Sequence, residues 1–343
     1  FRCVYNAFSK AVVKLPEDPN PVPDGMSASV VTSTCGVWKS IISKTSRMIG
    51  WLISGATFFG RTTELLVRLP AILLGLGLTG LFWLLSTKLF PENKNCGWLS
   101  AVLMNLILIF ALGFIIITPD TPLVFFSTLF LYLIYESTFK GKTFCWYLSG
   151  VALGLALLTK YTAVLLVPCL GIFLGFSDSF RKFLGKKELY LSFFLALLVF
   201  SPVLYWNYKN NWISFRFQLE HGFSGEPVFP LTSLMEYLGS QVLVITPFVF
   251  VALTAAMVYC YRLWSKEKDD RFLFLFSFFV PILLFFGVVS LKSKVEANWP
   301  VIAYIPGIIG LSGIYTTRLG AKTQRRSLKF LKKWTVLSVV LVF

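Results

Sequence analysis

The sequence holds one histidine, His221, in 343 residues, which excludes a metal site built from several imidazoles. Charge is scarce too. Only 14% of residues are Asp, Glu, Lys or Arg, where soluble domains carry about a quarter. The six cysteines, at positions 3, 35, 96, 145, 169 and 260, are scattered, mostly at or within apolar segments, and form no CxxC pair. They read as small buried hydrophobes rather than disulfides or metal ligands. No cleavable signal peptide is visible. The chain starts at Phe1 rather than Met and stops inside the apolar run "WTVLSVVLVF", so we expect a fragment at both ends.

What is present is apolar. Hydrophobic residues make up 56% of the chain and aromatics 17%, with a mean hydropathy of +0.73. Runs long enough to cross a bilayer, about 20 residues each, recur from residue 62 onward. The fold class expected is an all-α polytopic membrane protein. A net charge of +16 then speaks of orientation rather than nucleic acid, because Lys and Arg collect in loops that stay in the cytoplasm.

Apolar segments lie near 64–87, 97–117, 122–138, 144–158, 162–176, 190–206, 232–261, 273–291, 299–316 and 334–343. One set of connections is basic: Lys88/Lys94, Lys140/Lys142, 181–188, 262–271 and 318–334. These are expected on the cytoplasmic side. The other set faces outward: residues up to about 63, "TPDTP" (118–122), "TKYTA" (159–163), 207–231 and "LKSKVEANWP" (291–300). Probes at Lys186 and Lys268 against Asn210 and Ser293 would test that assignment.

The unusual polar residues gather on the outer set. Asp120 lies where an apolar stretch breaks. It reads equally as an N-cap for the next helix and as part of a site. Lys160 sits in a short turn between apolar helices, where it can snorkel to the surface or meet a phosphate. The loop 207–227 carries Arg216 and His221 among aromatics. Its plainer reading is an interfacial helix with Trp212, Phe215, Phe217 and Leu219 at headgroup level. Lys292, Lys294, Glu296 and Asn298 lie between two long spans, and two cations in an outer loop point to an anionic partner. Cations, carboxylates and aromatics at headgroup level suit a lipid-phosphate substrate, with Lys and Arg on the phosphate and a carboxylate acting on an acceptor hydroxyl.

The ordered stretches "ELLVRLPAILLGLGLTGLFWLLSTKLF", "TPDTPLVFF", "GVALGLALLTKYTAVLLVPCL", "SPVLYWNYKNNWISFRFQLEHG" and "VEANWPVIAYIP" resemble bacterial members of the protein O-mannosyltransferase-like group. These GT-C glycosyltransferases include lipid A aminoarabinose transferases, and the resemblance covers roughly 48–316. It implies a GT-C-like multi-helix bundle with outer-face loops. The activity implied is sugar transfer from a polyprenyl-phosphate donor to a lipid, glycan or protein acceptor. It would take place at the periplasmic face of a bacterial inner membrane, normally with inversion. The partners implied are that donor, that acceptor and membrane lipids, with no nucleic acid. No cofactor is certain, although a divalent metal is compatible with carboxylate-rich outer loops. By match, Lys160 belongs to an element near the donor phosphate, with Arg216, Lys292 and Lys294 as further phosphate candidates. His221, Glu296 and Asn298 are substrate-binding candidates, and Asp120 and Asp24 the catalytic ones.

The resemblance places the catalytic carboxylate in the first outer loop, as an Asp-Glu followed by aromatics. Residues 1–47 hold no Asp-Glu and no Pro-Pro before Met48, and Asp24 lacks the aromatic context. We therefore expect an aberrant or non-family arm over 1–47 and a transmembrane glycosyltransferase-like domain over 48–343, truncated at its end. A frameshift upstream of about Met48 accounts for this. Shifted by one frame, codons for 35–43 permit Trp-Ser-Leu-Glu-Ile-Asp-Tyr-Phe. The alternatives are a transporter or flippase, which should show charges at mid-membrane and repeated halves, and a non-catalytic scaffold.

Overall fold

The computed structural model describes residues 47–57, 64–115, 117–216, 218 and 230–318. Asp24, His221 and the run 334–343 lie outside the described residues. Within them the chain is helical and contains no strand. The helices are α1 (Arg47–Thr57), α2 (Glu64–Leu89), α3 (Asn95–Leu106), α4 (Leu108–Ile115), α5 (Asp120–Thr138) and α6 (Thr143–Thr159). They continue with α7 (Leu166–Phe176), α8 (Lys187–Lys209), α9 (Pro230–Ile245), α10 (Pro247–Glu267), α11 (Asp270–Ser290) and α12 (Tyr304–Arg318). Among the described residues, α2, α8, α10 and α11 are long and apolar enough to cross a membrane, and α3 with α4 makes a fifth if counted as one span.

Two of the expected spans are broken. The 97–117 segment bends by 79° between α3 and α4. Ile107 adopts an extended conformation there (φ −75°, ψ 124°) and is buried. The 232–261 segment is two helices, because Pro247 has no N–H to continue the ladder and its ring drives the preceding residue out of the helical region. That residue, Thr246, takes φ 70° and ψ 142°. Such a value is strained for a β-branched side chain.

α5 owes its position to neighbours rather than to uniform hydrophobicity. Most of its residues are buried, with α2 and α6 packed against it. α6 in turn packs closely on α8, and two glycines permit this. A Cβ at Gly150 would lie 2.1 Å from the Ser192 carbonyl oxygen, and one at Gly154 would lie 2.6 Å from Val199 Cβ. The backbones meet there, as small residues four apart allow between membrane helices. Gly150→Leu is therefore expected to cost at least about 1–3 kcal/mol, because the obstacle is backbone and cannot rotate away. It should be read as a lower unfolding temperature in detergent, and an unchanged one would show that the helices separate easily.

At one end of the bundle the charges pair tightly. Glu136, 2% exposed, meets Lys88 of α2 and, at 2.6 Å, Lys142 of the α5–α6 turn. Arg271 at the start of α11 reaches Asp269 at 2.8 Å and Glu92 at 2.6 Å, and donates to the Leu89 carbonyl at 2.8 Å. Buried charges persist only with such partners. These pairs tie together the ends carrying the basic connections. α5 and α6 each run from this end to the other, where Asp120 and Lys160 stand.

Candidate functional site

Asp120 is the first residue of α5, and Pro119 occupies the capping position without a side-chain cap. The N-cap reading of Asp120 is therefore corrected. Its carboxylate looks away from its own helix to two distant partners. Lys160 Nζ donates to Oδ1 at 2.8 Å from 40 residues along the chain, and Asn298 Nδ2 donates to Oδ2 at 2.6 Å from 178 residues along. The Asp120 and Lys160 side chains are 15% and 11% exposed, so the snorkelling reading of Lys160 is corrected as well. A lysine at the surface would not be held at this depth by a carboxylate.

The local chain explains how Lys160 arrives there. α6 ends at Thr159, and Lys160 is extended (φ −158°, ψ 133°). Its N–H still donates to the Ala156 carbonyl at 3.1 Å, and a 3₁₀ turn, Tyr161–Leu165, follows at once. The lysine thus occupies a joint between two helical pieces. Asp120 is secured from the other side by Thr121, whose hydroxyl donates to the Gly113 carbonyl of α4 at 2.6 Å. A small pocket lined by Gly113, Phe114, Asp120, Thr121 and Val301 lies at this point.

The first part of the connection after α8 packs beside Tyr161, the neighbour of Lys160. Asn207 is buried and accepts from the Ser214 N–H at 3.2 Å, while the Trp212 N–H donates to the Asn207 carbonyl at 2.8 Å. Phe215 then stacks on Tyr161 with ring centres 5.1 Å apart and planes 5° from parallel. Phe215 is half-buried, whereas Trp212 is exposed. Side chains 217 and 219 lie outside the described residues.

Of the sequence candidates, the structure joins Asp120, Lys160 and Asn298. Arg216, Lys292, Lys294 and Glu296 are exposed, and the hydrogen bonds to Asp120 come from Lys160 and Asn298 instead. Asn298 is thus a partner of Asp120, a closer role than the general substrate contact expected. Thr121 and Gln241 join them only in the folded chain. The available signal for Gln241 was an amide inside an apolar helix. Among the described residues no three of His, Cys, Asp and Glu gather as a metal site.

Chemically, the cluster leaves an ammonium with donors to spare. A lysine Nζ carries three N–H donors, of which, among the described residues, Asp120 takes one. The carboxylate, in contrast, has a protein donor on each oxygen. That suits holding an anion better than taking a proton from an acceptor.

The described residues thus form a bundle of bent and unequal helices with a polar cluster at one end. The described fold resembles ArnT from Cupriavidus metallidurans in the apo state, with a TM-score of 0.60 at 17% identity over 79% of this chain and 49% of that one. The undecaprenyl phosphate-bound form of ArnT matches equally, with a TM-score of 0.60 at 16% identity. Residues 44–206 match the family model described as dolichyl-phosphate-mannose-protein mannosyltransferase. The lipid A galacturonosyltransferase RgtD of Rhizobium johnstonii is 27% identical over 263 residues, covering 76% of this chain and 54% of RgtD. The fold is thus similar to that of the GT-C glycosyltransferases, the group that the ordered motifs resemble. It spans about half the length of the relatives it matches.

Proposed function

We propose that this chain is the membrane part of a glycosyltransferase that takes a sugar from a polyprenyl-phosphate donor at the end of the bundle carrying Asp120. The acceptor is a lipid, glycan or protein, and the reaction faces the periplasm. The observation that carries this reading is the Lys160–Asp120–Asn298 cluster. Lys160 keeps two N–H donors for the donor phosphate, and charge-assisted bonds at a desolvated site are the strong ones. Asp120 aims Lys160, and Asn298 fixes Asp120. The exposed Lys292 and Lys294 form a positive rim that attracts phosphate. Arg216 adds to the same field, and Glu296 and His221 are the candidates for binding the acceptor. The base that takes the acceptor proton belongs to a first-loop carboxylate that residues 1–47 do not carry in recognisable form, and Asp120 has a supporting role. The experiment is direct binding of undecaprenyl phosphate to the purified protein in detergent. Saturable, micromolar binding supports the reading, and none at millimolar ligand defeats it.

Orientation is testable separately. Ser293 is buried, so a cysteine probe there would be silent for reasons unrelated to topology. Its exposed neighbour Lys294 replaces it. Cysteines at Asn210 and Lys294 should react with an impermeant reagent from the periplasm, and cysteines at Lys186 and Lys268 should not. Labelling of all four from one side would overturn the alternation.

A further inference from the structure

Asn298 does not hold itself in place. The residue before it, Ala297, accepts a hydrogen bond through its carbonyl from Gln241 Nε2 of α9 at 3.3 Å. Gln241 is 1% exposed, and its Oε1 accepts from the Tyr304 hydroxyl at 2.6 Å. Tyr304, the first residue of α12, is wholly buried. The Gln241 amide also donates to Ser240 Oγ at 3.1 Å, so both ends of the group are occupied. α9 is itself tied down, since Tyr237 one turn earlier donates to the Leu283 carbonyl of α11 at 3.1 Å. On the far side of Asn298, Trp299 packs against Phe286, with ring centres 5.9 Å apart.

A buried amide is costly unless it is fully paired. An apolar side chain of similar volume would pack there as well, so packing does not account for a glutamine. The partners do. The Tyr304 hydroxyl orients the amide, and the amide grips the loop backbone one residue from the side chain that reaches Asp120. A loop shift of about 1 Å would stretch the 2.6 Å Asn298–Asp120 bond past hydrogen-bonding distance.

We propose that Gln241, oriented by Tyr304, is a positioning residue that sets Asn298, and through it the Asp120–Lys160 pair. Its functional consequence rests on the proposed donor site, whereas its effect on the loop does not. The variants are Gln241→Met, which keeps the volume and removes all three side-chain hydrogen bonds, and Tyr304→Phe, which removes only the orienting hydroxyl. Both are made in the full chain in detergent. Hydrogen exchange at the peptide spanning 296–303 should speed up several-fold in Gln241→Met and less in Tyr304→Phe, with the other helices unchanged. Undecaprenyl phosphate should bind about tenfold more weakly to Gln241→Met, the effect of roughly one lost hydrogen bond. In an Asn298→Ala background, Gln241→Met should weaken binding no further, because the route is already cut.

Unaltered exchange at 296–303 overturns the proposal. So does faster exchange with unchanged affinity, or additive losses with Asn298→Ala, since each would make Gln241 a purely structural contact. If the unmodified protein binds no undecaprenyl phosphate, the donor-site reading is what fails, and the exchange arm still decides whether Gln241 holds the loop.

Discussion

Lys160→Met is expected to weaken undecaprenyl phosphate binding by about 10- to 100-fold, the loss of one or more charge-assisted hydrogen bonds at a desolvated site. The structure adds a complication absent from the sequence. Removing the ammonium leaves the Asp120 carboxylate, 15% exposed, facing only Asn298. Breaking a buried pair from one side costs about 3–5 kcal/mol, somewhat less here because the pair is not fully dry. Lys160→Met alone should therefore lower stability and affinity together. Pairing it with Asp120→Asn separates them. The double variant has no stranded charge and should recover most of the unfolding temperature, while affinity stays low. Recovery of affinity in the double variant would show that Lys160 serves Asp120 and not a ligand. Lys160→Arg is expected to fail in part too, since a planar fork replaces a compact ammonium in a site shaped by one carboxylate oxygen.

A second large effect concerns the reaction itself. Three forms should be compared with a polyprenyl-phosphate sugar: the unaltered chain, a form with an acidic and aromatic first loop restored over residues 35–47, and that form carrying Asp120→Asn. No turnover is expected from the first and turnover from the second. A loss of roughly 100-fold is expected from the third, the penalty typical of a misplaced reacting group. The reasoning is geometric. Asp120 has a protein donor on each oxygen, so it positions the site and leaves proton removal to another carboxylate. Full activity in the unaltered chain would reverse this and make Asp120 or Asp24 the base.

The helices were legible because their cause is local. Long apolar runs have no favourable state in a bilayer except the helix, so α2, α8, α10 and α11 fall close to where the runs lie. The breaks at Ile107 and Thr246 depart from the unbroken runs that the sequence predicts. The Thr246-Pro247 pair carried a written signal, while nothing at Ile107 distinguishes it from its apolar neighbours. The burial of Ser293 between the exposed Lys292 and Lys294 was also invisible, since a polar loop residue is ordinarily taken as exposed.

For the site, the sequence by itself determined which groups stand at one end of the bundle. Alternating basic connections put Asp120, Lys160 and Asn298 on one side, and the order of motifs pointed to the GT-C group. Only the tertiary structure decided that these three touch, with Asp120 as the common acceptor, and that Gln241 and Tyr304 stand behind them. The physical reason is the separation along the chain. Composition and periodicity report each residue's immediate surroundings, but a contact across 178 residues depends on how α5, α6, α9 and α12 pack. That packing is set by features such as the bare backbone at Gly150, whose consequence appears only when Ser192 arrives against it.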